Sequence, residues 1–165
     1  MDTNFWFALS VRSRHEKSVQ QLLDYKGYAT ALPVVKYQHT RRSGTRWDND
    51  IPLIPGYVFV GPDLSNPFHF VTTPGVVRMV SFGGEAAAIP SSEIEALERV
   101  AASHLPIGHC SYTRVGECVR LVRGPLTGLR GIVSRNAGTT RLVVSVTMLQ
   151  RSVSVEIDNE WAVPD

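Results

Sequence analysis

The chain has 165 residues, of which 43% are apolar and 19% are charged. This length fits one ordinary domain or two small ones, and the apolar fraction is enough for a packed core. A net charge of +2 is too small to indicate nucleic-acid binding by bulk charge. The first apolar run, residues 5–11, is too short to span a bilayer and precedes no cleavage site, so a cytoplasmic protein is expected.

The first two elements are predicted to be a strand and a helix. Residues 5–11 are short, aromatic-rich and followed by charged residues, which predicts a buried strand. The next segment predicts a helix over 14–26, with Ser13 and Glu16 at capping-box spacing. Gly27 stands where a left-handed C-terminal cap is expected.

A hairpin and further short elements follow the helix. A Ser-Gly turn inside a polar stretch predicts a hairpin arm between residues 36 and 51. Residues 57–60 form an apolar run between glycines, which predicts another strand. A short helix is predicted from Pro67, and residues 76–82 then return as a strand that ends at a Gly-Gly turn.

The next helix has Ile94, Leu97 and Ala101 on one face. Together these elements predict an α+β first domain over residues 1–103, in which an antiparallel sheet carries flanking helices. Residues 104–112 interrupt the periodicity and are predicted to form a flexible linker.

Residues 113–165 are predicted to form an all-β second domain. Five short strands are expected at 117–123, 130–135, 141–147, 152–157 and 161–163. Short strands with tight turns predict a small closed barrel, because closure removes exposed sheet edges.

Residues 115–133 carry the most specific motif of the chain. Val119 and Leu121 alternate with Arg120, a Gly-Pro pair supplies a turn, and two later glycines permit close backbone approach. The segment resembles the KOW motif of bacterial NusG-type transcription factors.

Residues 52–60 carry a second motif of the same family. They read Pro-Leu-Ile-Pro-Gly-Tyr-Val-Phe-Val and resemble the core of the NusG N-terminal (NGN) domain. Family-like positions occur in family order over nearly the whole chain. The resemblance implies an NGN α/β sandwich followed by an SH3-like five-stranded KOW barrel.

The resemblance also implies a function. NusG-type factors bind the clamp helices of RNA polymerase, suppress pausing and recruit Rho or a small-subunit ribosomal protein through the KOW domain. A monomeric binding protein is expected, with no enzymatic activity, no cofactor and no membrane contact. Ile54, where the family often has Phe, favours a specialised RfaH-like paralogue. The alternative is an RNA-binding or ribosome-associated KOW protein.

The resemblance assigns roles to apolar and basic side chains of the first domain. The residues predicted to bind polymerase are Phe7, Ile54, Tyr57 and Phe59. For the aromatic rings, core packing is the competing interpretation. The residues predicted to bind non-template DNA in the elongation complex are Arg12, Arg14, Lys17, Arg41, Arg42 and Arg46. A solvated charged surface is the alternative for these six.

In the second domain, family members bind a partner at the turn after the first strand. The corresponding residues are Arg120, Arg123, Leu126, Leu129 and Arg130. The leucine pair would form a docking patch or cap the end of the barrel, and the arginines would meet RNA or an acidic protein. Histidines and cysteines match no paired-ligand spacing, so no metal site is predicted.

Overall fold

A computed structural model gives the fold of the chain. It describes residues 5–61, 68–113 and 115–165. The predicted helix start at Pro67 lies outside these ranges. None of the helices within the ranges is both long and apolar enough to cross a bilayer.

The chain divides into two compact units, Met1–Ser91 and Ser92–Asp165. The predicted first domain runs to residue 103, so the two boundaries differ. The difference arises because the helix that begins at the division is grouped with the second unit.

The first unit combines short strands with two helices. Its elements are β1 (Phe5–Val11), α1 (Glu16–Tyr25), β2 (Thr30–Ala31), β3 (Val34–Thr40), β4 (Arg46–Pro52), β5 (Tyr57–Val60), α2 (Phe68–Val71), β6 (Val76–Met79), β7 (Ser81–Phe82), β8 (Glu85–Ala86) and β9 (Ile89–Pro90).

The main sheet of this unit is built around β1. Its strand order is β2-β5-β1-β6, and β9 also pairs with β1. β1 and β5 are antiparallel, with Leu9 opposite Val58 and Ser10 opposite Tyr57. Opposed residues share a face and successive residues alternate between faces. Leu9 and Val58 therefore lie on one face, and Ser10 and Tyr57 on the other.

The helices cover the Leu9 face and form the core with it. The buried members of this core are Leu9, Val11, Val19, Leu23, Val58, Val60 and Phe70. Val19 and Leu23 are four residues apart on α1, so they lie on the same side of the helix. α2 contributes Phe70, whose ring centroid is 4.6 Å from that of Tyr28.

α1 begins later than the predicted residue 14. Arg14 has a φ of 65°, a left-handed conformation that does not continue a right-handed helix. The N-cap is instead His15, and no side chain caps the helix there. The predicted capping box between Ser13 and Glu16 is therefore wrong, because Glu16 is the first helical residue.

The C-terminal cap of α1 is confirmed. Gly27 has a φ of 88°, and its N–H donates to the carbonyl oxygen of Asp24 at 3.0 Å. The N–H of Tyr28 donates to the carbonyl oxygen of Leu23 at 3.1 Å. These two hydrogen bonds form a Schellman motif, which requires the left-handed glycine.

The first unit also contains two hairpins outside the main sheet. β3 and β4 pair along their whole length, which confirms the predicted arm between residues 36 and 51. The predicted strand 76–82 is interrupted at Val80, whose N–H donates to the carbonyl oxygen of Ala8 at 2.9 Å. β7 and β8 then pair across the expected Gly-Gly turn, in which both glycines have positive φ.

The second unit combines one α-helix and two short 3-10 helices with a sheet. Its elements are α3 (Ser91–Ala102), β10 (Ile107–Cys110), β11 (Glu117–Leu121), β12 (Arg130–Asn136), β13 (Thr139–Val146), a short 3-10 helix (Thr147–Leu149), β14 (Arg151–Ile157), a second 3-10 helix (Asn159–Trp161) and β15 (Ala162–Pro164).

The sheet of the second unit has six strands in the order β10-β14-β13-β12-β11-β15. The five predicted strands are all present, with ends shifted by a few residues at most. β10 is additional and falls inside the predicted linker, where Gly108 pairs with Ser154. Alternating apolar residues bury one face of these strands, among them Val119, Leu142, Val144 and Val155.

Gly131 allows β12 and β13 to pair closely. A Cβ at this position would lie 2.6 Å from the carbonyl oxygen of Val143 and 2.9 Å from Cδ1 of Leu142. A carbonyl oxygen within a paired strand cannot move away without breaking the ladder. The glycine of the KOW-like motif is therefore required by backbone approach.

Replacing Gly131 with Ala should lower the free energy of unfolding by about 1–3 kcal/mol, because the new methyl group overpacks a backbone contact. Urea denaturation of the full chain measures this loss. Ser134→Ala is the matched control, since Ser134 is exposed on the same strand and its replacement should change stability by less than about 0.5 kcal/mol. Equal effects of the two substitutions would contradict the packing argument.

Candidate functional site

Tyr57 and Phe59 lie on the sheet face that points away from the core helices. Tyr57 pairs with Ser10 and Phe59 with Ala8, which confirms the predicted strand alternation. Phe59 is 1% exposed, whereas Tyr57 is half-buried. Of these two rings, Tyr57 alone has appreciable surface to offer a partner.

The other two predicted polymerase-binding residues lie elsewhere. Phe7 pairs with Val60 and packs against the helix-side core. Ile54 precedes β5 and is only 4% exposed. The four predicted residues therefore do not form one surface, and Ile54 and Phe59 are buried.

Tyr57 belongs to a row of side chains that crosses the sheet. Ser10 pairs with Tyr57 on one side and with Arg78 on the other. Arg78 is exposed, and Ser10 is small and half-buried. Adjacent strands are about 4.8 Å apart, so the backbones of Tyr57 and Arg78 are separated by about 10 Å. We call Tyr57, Ser10 and Arg78 the Tyr57 row.

The composition of this row suits protein contact. Tyr and Arg are enriched at protein interfaces because each offers a flat apolar surface together with a polar group. Sequence reasoning identified Tyr57 but missed Arg78. Only the strand register brings Arg78 next to Ser10, and no local motif signals that register.

Glu16 holds the turn that leads into β5. This carboxylate is 7% exposed, and its Oε1 accepts a hydrogen bond from the Gly56 N–H at 3.0 Å. The carbonyl oxygen of Gly56 accepts from the Val11 N–H at 2.9 Å. The first residue of α1 and the end of β1 therefore both fix the backbone immediately before Tyr57.

The first basic group lies where β1 connects to α1. Arg12, Arg14 and Lys17 are all exposed. Nζ of Lys17 is 3.4 Å from Oδ2 of Asp50 on β4. A solvent-exposed pair of this kind contributes little stability, but it joins the helix to the base of the β3–β4 hairpin.

The second basic group lies at the tip of that hairpin. Arg41, Arg42 and Arg46 are exposed around a turn closed by the Arg41 N–H, which donates to the carbonyl oxygen of Thr45 at 2.9 Å. Arg46 and Asp50 are separated by four residues of β4, or about 13 Å. The two basic groups therefore occupy opposite ends of one hairpin and do not form a single cluster.

The turn after β11 does not present a pair of exposed leucines. Leu126 is fully buried, and Leu129 is half-buried. Leu126 therefore packs in the core of the second unit, in keeping with the capping interpretation.

The arginines of the second unit remain exposed. Arg120 lies directly opposite Arg130 on the paired strands β11 and β12. Like charges in this arrangement repel each other. Nε of Arg130 is 3.4 Å from Oδ2 of Asp165, which partly offsets the repulsion. Arg123 is also exposed beyond the end of β11, so three exposed arginines lie where β11 ends and β12 begins.

Two side chains of α3 bind loops of the second unit. Oε1 of Glu93 accepts a hydrogen bond at 2.8 Å from the hydroxyl of Thr147, which directly follows β13. Nη2 of Arg99 donates to two carbonyl oxygens in the turn after β11, that of Thr127 at 2.8 Å and that of Pro125 at 3.3 Å. Sequence periodicity identified Ile94 and Leu97 on the buried face of α3, whereas the predicted Ala101 is half-buried. It gave no signal for these polar contacts.

Among the described residues, the cysteines form no disulfide and the candidate metal ligands form no group. Within those residues, no three His, Cys, Asp or Glu side chains are grouped so that they could hold a metal ion. Cys110 and Cys118 are both free. Burial raises the pKa of the Cys110 thiol, which lowers its thiolate fraction and therefore its reactivity at neutral pH.

The family model described as transcription termination factor nusG matches residues 4–98, more than half of the chain. The chain therefore belongs to the NusG family of transcription factors. A solved structure described as "Domain interaction in Thermotoga maritima NusG" is similar in fold. Its TM-score is 0.55 at 21% sequence identity, and the match covers 98% of this chain and 97% of that chain.

The Glu16 contact predicts a difference between two substitutions. Glu16→Ala leaves the Gly56 N–H without its acceptor and should lower the free energy of unfolding by about 1–3 kcal/mol. Glu16→Gln keeps an acceptor oxygen and should restore most of that loss. Chemical denaturation of the full chain measures both. If the Gln variant is as unstable as the Ala variant, the hydrogen bond is not what holds the turn.

Proposed function

We propose that this protein binds the clamp helices of bacterial RNA polymerase through the Tyr57 row and acts as a transcription elongation and antitermination factor. The observation that carries the proposal is that the half-buried Tyr57 and the exposed Arg78 flank the small Ser10 on the sheet face away from the core helices. Membership of the NusG family supports a role in transcription. The protein then acts in the cytoplasm, where bacterial transcription takes place.

The mechanism is binding without catalysis. A factor that contacts the clamp adds a free-energy cost to clamp opening, because opening breaks the contact. States that require an open clamp are then less populated, and paused states become rarer. Buried Phe59 and the Glu16 contact with Gly56 support this role by fixing the backbone around Tyr57.

The basic residues extend the proposed contact to DNA. Arg12, Arg14 and Lys17, together with the hairpin-tip arginines, are exposed and meet the chemical requirement for phosphate contacts. Their proposed ligand is the unpaired non-template strand of the elongation complex. Such contacts position the factor without reading sequence.

The second unit is proposed to be a KOW domain that closes as an SH3-like barrel and recruits Rho or a small-subunit ribosomal protein. The motif at residues 115–133, the five predicted strands and the glycine-dependent approach of β12 to β13 support this assignment. The exposed pair Arg120 and Arg130 would meet acidic groups of the partner.

A specialised, operon-specific paralogue is favoured over the general factor. Ile54 stands where the family often has Phe, and Ser10 stands where some specialised relatives have an aromatic residue. Ser10 lies in the Tyr57 row and makes that surface less aromatic, whereas Ile54 is buried and lacks the ring that the family often has at its position. Arg78 then contributes a larger share of the binding free energy than it would in a row with more aromatic side chains.

Tyr57→Ala should weaken binding to RNA polymerase by about 30-fold, since truncating a central aromatic residue costs about 2 kcal/mol. Retention of the full chain on immobilised bacterial core polymerase measures the effect. Tyr25→Ala is the matched control, because Tyr25 is 92% exposed on α1 and lies outside the Tyr57 row. Equal retention of both variants would remove the Tyr57 row from the account. In a separate pull-down from bacterial lysate with the wild-type chain, capture of ribosomal particles without polymerase would support the ribosome-associated alternative.

The combined substitution of Arg41, Arg42 and Arg46 by Ala should weaken retention on a reconstituted elongation complex and flatten its salt dependence. Losing three contacts to a single strand lowers the slope of log K against log salt by about 2. The corresponding triple Lys variant keeps the charge and should retain most of the slope. An unchanged slope in the Ala variant would show that the hairpin tip does not contact DNA.

A further inference from the structure

A short strand occupies one edge of the six-stranded sheet, in the segment whose composition predicts a linker. β10 is four residues long and is the outermost strand, next to β14. Its residues pair with Ser152–Val155, whereas β14 is seven residues long. Just before β10, the carbonyl oxygen of Pro106 accepts a hydrogen bond from the Glu156 N–H at 2.9 Å. β10 therefore pairs with only part of the strand that it covers.

The residues of β10 are weakly held. Ile107, Gly108 and Cys110 are half-buried and His109 is exposed, so no side chain of this strand is fully buried. Glycine loses more backbone freedom on pairing than any other residue. The chain enters β10 through His104, whose φ of 59° is unfavourable for a residue with a side chain. The pairing of β10 therefore costs conformational freedom and gains little burial.

β14 is held in place by contacts that do not involve β10. It pairs with β13 along its whole length. Val153 and Val155 lie in the core, 1% and 0% exposed. The hydroxyl of Ser152 lies 2.6 Å from that of Ser145 on β13. Without β10, β14 would remain a formed strand with an open edge, and such an edge can add an extended segment of another chain.

The pairing of β10 shows which residues suit this edge. Antiparallel hydrogen-bonded pairs recur at every second residue, so the Pro106–Glu156 bond makes Gly108 and Ser154 the next such pair. A Cβ at Gly108 would lie 3.1 Å from Oγ of Ser154. The Ser154 hydroxyl donates to the Gly108 carbonyl oxygen at 3.3 Å. A small residue is therefore favoured opposite Ser154.

The end of β14 adds a charge to this edge. Arg151 is exposed and directly precedes the residues that pair with β10. When the register is continued by one residue, position 111 lies opposite Arg151. The chain has Ser111 there. An acidic residue at the same position of an added strand would form a cross-strand charge pair.

We propose that β10 is a removable strap over the edge of β14, and that an extended segment of a partner protein replaces it by strand addition. The favoured segment has a small residue opposite Ser154, an apolar residue opposite Val155 and an acidic residue opposite Arg151. A segment that pairs with all seven residues of β14 makes more hydrogen bonds than β10 does, which favours the exchange. The released residues 104–112 then form a flexible linker. The inference does not rest on the proposed polymerase contact, because it concerns strands of the second unit alone.

The two cysteines report whether the strap is closed. Cys110 lies half-buried on β10, and Cys118 is exposed on β11. Maleimide labelling of the full chain is measured in the single-thiol variants Cys110→Ser and Cys118→Ser, each rate being divided by that of the same variant in urea. Cys110 should react about tenfold more slowly than Cys118, because β10 must open first.

A proline substitution should open the strap. Gly108→Pro removes an N–H that faces β14 and should bring the corrected rate for Cys110 to within about twofold of that for Cys118. His109→Pro is the matched control. In the same register its N–H faces away from β14, where an edge strand tolerates proline, so Cys110 should stay protected. Thermal melting checks that both variants are folded.

A peptide tests the exchange itself. The probe is a synthetic peptide of residues 104–113 that carries Cys110→Ser and Ser111→Glu. In an NMR titration of the isotope-labelled full chain with Gly108→Pro, it should shift the amide signals of Ser152–Glu156. The wild-type chain should bind it at least about tenfold more weakly, because the tethered strap competes at high effective concentration. A peptide with Ser111→Arg instead should bind about threefold more weakly than the Glu peptide, since like charges repel.

Three results would overturn the proposal: equal corrected labelling of Cys110 and Cys118 in chains with an unaltered β10, no shift of any β14 amide in the Gly108→Pro chain, or equal peptide affinities of the Gly108→Pro and His109→Pro chains. Retention on RNA polymerase separates this proposal from the previous one. The Gly108→Pro chain should be retained like the wild-type chain. Wild-type failure on polymerase, with Cys110 protected and the peptide exchange intact, would reject the polymerase role and leave the strap standing.

Discussion

The register between β1 and β5 is the constraint on which the first unit depends. With Leu9 opposite Val58, these two side chains point towards α1 and α2, together with Val11 and Val60. The intervening residues, including Ser10 and Tyr57, then point to the other face. A shift of one residue would bury Tyr57 under the helices and expose the core. Core packing therefore fixes which aromatic ring can reach a partner.

Long-range polar contacts refine this arrangement. Glu16 ties the start of α1 to Gly56, and Lys17, the next residue, reaches Asp50 on the hairpin. Two consecutive helix residues thus connect α1 to the turn before Tyr57 and to the base of the arm. The start of α1 therefore supports both the proposed polymerase contact and the hairpin.

Local pattern was sufficient for much of the fold. Period-two alternation identified the strands of the second unit and the shared face of Tyr57 and Phe59. Gly27 marked the end of α1, because a helix C-cap depends only on the local backbone conformation. The rest depends on contacts between distant segments. The spacing of Glu16 indicated a capping box, yet its carboxylate bonds to a backbone group 40 residues away. The burial of Ile54 and the position of Arg78 likewise follow from tertiary packing and register, which a local motif does not encode.

Photocrosslinking tests the central claim most directly. A benzophenone side chain placed at position 57 reports which protein lies against this sheet face in an elongation complex. The account predicts a crosslink to the clamp helices of RNA polymerase from position 57 and none from position 25, on the exposed side of α1. A chain that binds the complex but crosslinks to the clamp equally from both positions, or from neither, would contradict it.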